Sequence, residues 1–148
     1  MSAREAAIAA LHDAVAAALA LRNPAPLTLR GETVPQRLPP GGLAMVQDGE
    51  TAEETPIVSP LRFQVRHVAE VVLVAPGPSP QARAALLDAL LVDVAAAVVA
   101  DRTLGGAVEW AQPEAPFLDV VEFEGASAAR TASVPVSLWF TAADTPLS

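Results

Sequence analysis

The apolar positions fall into two helical runs set among segments that alternate. Ile8, Leu11, Val15 and Leu19 recur at helical spacing, with Ala filling most positions between them. This predicts a first helix over residues 3–21. Ser2-Ala3-Arg4-Glu5 has the spacing of a capping box, in which the Ser2 hydroxyl accepts from the Glu5 amide and the Glu5 carboxylate reaches back. Asn23-Pro24 ends the run. Ser79-Pro80 is a good N-cap and N1 pair, and opens a second helix running to about Asp101. Leu86, Leu90 and Val94 form one stripe of it, and Leu87, Leu91 and Val98 the neighbouring one. That apolar arc is wider than a one-sided surface helix needs, so burial on a second side, against another subunit, is expected.

The remaining segments read as strands. Leu27-Thr28-Leu29 suits a first one, and the Pro- and Gly-rich residues 34–42 form a loop. Leu43 to Val46 is a short second strand; Asp48-Gly49 signals a turn, with an acidic loop of Asp48, Glu50, Glu53 and Glu54 around it. Ile57 to Val74 reads as one long extended segment, in which Leu61, Phe63 and Val65 alternate with Arg62, Gln64 and Arg66. The unbroken run Val71–Val74 then requires a bulge or bend near Val68 to Glu70. Leu104-Gly105-Gly106 is a turn before a strand near residues 107–111, with a break over 112–116. Phe117, Val121 and Phe123 mark a fifth strand, and Val134 to Phe140 the last, where Pro135 favours an edge position or a bulge. The order predicts an α+β fold: a mostly antiparallel sheet of about five to six strands with two main helices packed on one face.

Composition bounds what such a fold can do. With 148 residues the chain is read as one domain, residues 1–148, burying about 68–70% of its unfolded surface. Only 4% of residues are aromatic and none is Tyr, so the core must be aliphatic. Cys is absent, which removes disulfides, thiolate metal sites and a cysteine nucleophile. Lys is absent too, a pattern that fits a GC-rich bacterial genome. A net charge of −8 argues against a surface that wraps phosphates. No signal peptide is visible, and the apolar stretch 84–100 is interrupted by Asp88 and Asp93, so it reads as a buried helix and no membrane association is expected.

No catalytic constellation stands out. His12 and His67 have no second His at i+4 and read as hydrogen-bonded side chains rather than zinc ligands. Gly41-Gly42 and Gly105-Gly106 sit in no phosphate-binding frame, and no nucleophile elbow is present. The acidic loop lacks the alternating ligands of a calcium loop. No catalytic residue, metal or cofactor is assigned. Arg62 and Arg66 share one strand face and offer a polar contact to an acidic partner or a neighbouring subunit. By alternation, one of Trp139 and Phe140 points away from the core, and an outward Trp is a candidate interface anchor.

Several of these features together resemble the tail terminator (tail completion) proteins of long-tailed phages and phage-derived gene transfer agents. They are the capped first helix with its Pro-rich extended sequel, the second helix running into Asp101-Arg102-Thr103-Leu104-Gly105-Gly106-Ala107-Val108-Glu109-Trp110, and a final strand from Ala132 to Thr141 with an Ala-Ala-Asp-Thr-Pro-Leu end. The resemblance covers nearly the whole chain as a pattern, and its most specific piece is Asp101–Trp110. It implies a non-enzymatic virion protein that forms a hexameric ring, caps the tail tube and meets the head-side stopper or connector. DNA passes through such a ring without specific recognition. Particles would be assembled in the bacterial cytoplasm and the protein would sit at their tail–head junction. On this reading the 34–46 loop, Leu104, Gly105, Gly106, Arg62, Arg66 and Trp139 are expected contacts to subunits or tube, and Asp48, Glu50, Glu53 and Glu54 expected lumen-facing acids. Another neck component, a stopper or adaptor, is the nearest alternative; a small acidic enzyme or ligand-binding domain is the more distant one.

Overall fold

The computed structural model describes residues 1–31, 37–121 and 128–148, Val121 by its backbone alone. Its elements are α1 (Ala3–Leu19), β1 (Leu27–Arg30), β2 (Leu43–Ile57), β3 (Arg62–Ala75), α2 (Pro80–Ala100), β4 (Trp110–Pro113), β5 (Phe117–Val121) and β6 (Ala129–Ala143), with a single 3₁₀ turn at Leu104–Gly106. Sheet order is β1-β2-β3-β6, and β4 and β5 lie along the outer side of β6. β1 and β2 run parallel; the other pairs are antiparallel. The α+β architecture expected from the sequence is the one found.

Alternation along β3 decides which face is the core. Val65, His67, Ala69, Val71, Leu73 and Ala75 are all buried, and they pair with Phe140, Leu138, Val136, Val134, Ala132 and Arg130 of β6. Ala44 and Val46 of β2 extend the same face. Onto it pack Ile8, Leu11, Val15 and Leu19 of α1 and Leu87, Leu90, Val94 and Val98 of α2, in one aliphatic cluster. Each large side chain so buried stabilises the fold by about 1.5–3 kcal/mol. Among the described residues the apolar cluster of the reverse face lies near β1, where Leu43, Met45 and Val74 meet Leu29 and Leu38.

Several expected boundaries move. β2 does not stop at Val46 but continues to Ile57, so the acidic residues 48–54 lie in a strand rather than a loop. Asp48-Gly49 is a bulge, with register shifts between Gln47 and Glu50 and between Thr51 and Glu53, and the hairpin turn lies at Val58–Leu61. The irregularity anticipated at 68–70 of β3 therefore sits on its partner; β3 itself pairs with β6 without a break from Arg62 to Ala75. Pro135 is not on an edge strand, because β6 has neighbours on both sides. Its carbonyl accepts from the Glu114 amide in the gap between β4 and β5, and its nitrogen faces that same gap, where no ladder bond is lost.

Gly49 has φ +65°, and a Cβ there would stand 1.8 Å from the carbonyl oxygen of Val68. Gly49→Ala should cost at least about 1–3 kcal/mol from the left-handed backbone alone, with the clash added. Denaturant melts should show a lower midpoint, and an unchanged midpoint would contradict the bulge.

Candidate assembly surface

The most unusual surface is the far half of β2 with the hairpin turn that follows it. From Asp48 to Arg62 every residue is exposed, because β1 stops at Arg30 and its partner Val46, leaving the outer edge of β2 bare beyond that point. This arm carries Glu50, Glu53 and Glu54 along its length and ends in an apolar tip: Ile57, Val58 and Leu61 are 42%, 75% and 47% exposed. Charges on a bare strand edge oppose pairing with a second edge.

The root of the arm is tied down by polar contacts. His67, buried among the core residues, donates from Nε2 to the Asp48 carbonyl, since a carbonyl can only accept; Nδ1 then accepts from the Thr51 hydroxyl at 3.1 Å. Both ring nitrogens are thus used to hold the bulged strand. Arg30 reaches the Glu5 carboxylate with both terminal nitrogens, Nη2 to Oε2 at 2.8 Å, and lies 3.2 Å from Asp48. The Arg30 hydrogen bonds hold the Glu5 carboxyl below its ordinary 4.5. Ser2 does accept from the Glu5 amide at 3.1 Å, but the Glu5 carboxylate is engaged by Arg30. The capping box is therefore only half made.

The sheet face away from the helices carries Arg62, Gln64 and Arg66, as their alternation implied. Arg66 pairs with Glu53 at 3.2 Å and lies 3.5 Å from the Ser137 hydroxyl. Gln64 donates to Glu109 at 2.8 Å, and the Thr141 hydroxyl donates to the other oxygen of that carboxylate at 2.5 Å. Those two bonds, Thr141 first, hold the Glu109 carboxyl below 4.5, with the nearby Arg62 charge helping. Trp139 lies opposite Trp110 across the β4–β6 ladder. The Arg102 guanidinium sits 4.5 Å from the Trp110 ring centroid and donates to Gln112 at 2.7 Å. Such a stack contributes about 0.5–1 kcal/mol at an exposed site.

The candidate residues divide between surface and core. Of the expected contacts, Leu104 is buried and Gly105 and Gly106 are exposed. The turn that holds them is organised by Asp101, whose carboxylate accepts from the Thr103 hydroxyl at 2.9 Å and the Gly105 amide at 2.7 Å. Within 34–46, residues 34–36 lie outside the described ones, and Leu43 to Val46 are core, unable to meet a neighbour. Trp139 does point away from the helices while Phe140 is buried, yet Trp110, at 47% exposure, is the more available of the two tryptophans. Of the four acids, Asp48 and Glu53 are paired with Arg30 and Arg66. Glu50 and Glu53 share the face opposite the helices, by their partners Val68 and Arg66, and Glu54 takes the other face opposite Val65. Sequence reasoning missed Trp110 and the arm tip; the Ser59-Pro60 pair after Ile57-Val58 was the turn signal available for the tip.

Two surface hollows measure about 560 Å³ each: one between the α1 end and α2 around the 2.8 Å Arg22–Asp93 pair, one beside Arg30, Gly31, Gln47 and Asp48. Among the described residues no three His, Asp or Glu side chains come together to hold a metal ion. No described helix is long and apolar enough to cross a membrane. In comparisons with known proteins, no family model matches the chain and no curated protein matches its sequence.

A lowered folded-state pKa means that Glu109 contributes stability that is complete above its ordinary 4.5 and is lost as pH falls through the lowered value. Glu109→Gln should make the stability decline below pH 4.5 shallower than in the parent chain. Parallel declines in acid titrations of the melting point would contradict this role.

Proposed function

We propose that this chain is the subunit of a non-enzymatic ring, six copies around, that caps the tail tube of a long-tailed phage or gene transfer agent. The ring joins the tube to the head-side connector, and DNA passes through its lumen. The observation that supports this reading most is the arm. An outer strand half with its turn, Asp48 to Arg62, exposed throughout and ending in an apolar tip, is surface left over by the folding of one chain, and surface of that kind marks an interaction site. Exposed Val92 and Val99 on α2 and Phe117, Leu118 and Val120 on β5 add to it. Val92 and Val99 lie outside the two stripes of α2 on which a second burial partner was expected; of those stripes Leu87, Leu90, Val94 and Val98 are buried in the chain's own core.

The charge pattern fits the same reading. Glu50 and Glu54, which form no salt bridge among the described residues, leave the arm with unneutralised negative charge. On whichever face turns toward a lumen, such charge offers phosphates no counter-ion, and DNA slides past without adhering. Arg62 and Arg66 take the opposite part as protein contacts.

The test separates contact from folding. Arg66→Glu places a carboxylate opposite Glu53 and should lower stability as well as assembly, whereas Arg62 is exposed and its change should leave the fold intact. Arg62→Glu should therefore keep the parent melting point. Losing a charged contact costs on the order of 2–5 kcal/mol when it is desolvated, so infectivity or gene transfer by Arg62→Glu particles should fall at least about tenfold. Undiminished transfer by the Arg62→Glu, Arg66→Glu double variant would overturn the proposal.

A further inference from the structure

A third hollow, apolar and about 260 Å³, lies on the helix side of the sheet between α2 and the β4–β5 connection. Leu91, Val92 and Ala95 form one wall, Pro113 and Pro116 the other, and Val134 the floor. Its one charged lining residue is Glu114. Asp88 stands one helical turn before Val92, which adds a second carboxylate on that side of α2. The arm tip has the converse character. Between Thr55 and Arg62 the only charge is Arg62 itself, exposed and in no salt bridge among the described residues, beside Ile57, Val58 and Leu61.

A chain cannot join its own two surfaces. The tip adjoins the Arg62–Ala143 pair, while the hollow is floored by Val134 on the same β6 strand. At about 3.4 Å per residue the two are roughly 30 Å apart along β6, and the hairpin is held straight by its pairing. A patch on one end of a molecule that complements a hollow at the other makes a head-to-tail contact, which closes a ring when the rotation per step allows. The acids along the β2 edge disfavour edge-to-edge pairing in its place.

We infer that the arm tip of one copy, Ile57, Val58 and Leu61 with Arg62, seats in the α2–β4/β5 hollow of the next copy, with Arg62 meeting Glu114. The inference deepens the ring reading and rests on it in taking a second copy as the occupant.

Because the chain has no Cys, introduced thiols report the contact directly. Chains carrying Val58→Cys and chains carrying Val92→Cys, mixed and mildly oxidised, should form the mixed disulfide dimer at least tenfold above either homodimer. Adding Arg62→Glu to the first chain should cut that yield about tenfold, and Glu114→Arg in the second should restore it. Mixed dimers no more abundant than homodimers, or a yield indifferent to both charge changes, overturn the inference. A single chain bearing both cysteines tells the two proposals apart. A cross-linked ladder ending at six copies supports both, and one extending beyond six supports the contact while counting against a hexameric ring. A parent chain that assembles while its double-cysteine variant forms no ladder overturns the contact alone.

Discussion

The unbroken pairing of β3 with β6, from Arg62–Ala143 to Ala75–Arg130, is the constraint on which the other features depend. It keeps side-chain alternation in phase along both strands, so a single face stays apolar along most of their length and receives both helices. Because a one-residue slip would turn every side chain over, irregularity is displaced outward to β2, where the Gly49 bulge and the His67 contacts absorb it. Beyond the bulge, β2 has no β1 beside it. The exposed arm follows from a short β1 that ends at Arg30 beside a β2 that runs on to Ile57.

Much of the fold was legible, for particular reasons. Ser2 and Ser79 cap their helices by accepting from Glu5 and Ala82, and the apolar spacing of α1 and α2 matched the residues that are buried. β2 was misjudged because Asp-Gly is a strong turn signal between apolar runs, and the polar residues 48–55 lack the alternation of a half-buried strand. An exposed arm has no buried face to pattern it. Pro135 illustrates a local rule overtaken by tertiary arrangement: a proline needs a missing ladder bond, and the gap between β4 and β5 supplies one inside the sheet.

The candidate surface was legible only in part. Alternation correctly placed Arg62, Gln64 and Arg66 on one face, but spacing within a strand carries no information on partners. Hence Arg66 turned out to be engaged by Glu53 and Ser137, and Glu109 by Gln64 and Thr141. Leu104 looked like an exposed turn residue beside two glycines and is instead a core side chain. Function on this account lies in what folding leaves uncovered: an apolar tip, an apolar hollow and unneutralised acids, divided among distant parts of one sheet. Such a division suits a repeated subunit, in which each copy completes its neighbour.

Native mass spectrometry of the purified chain, taken across a concentration series, tests ring formation most directly. The account predicts a discrete six-copy species that grows with concentration at the expense of the single chain, with few intermediates. A chain that remains single throughout the series, or stops at a two-copy species, would contradict it.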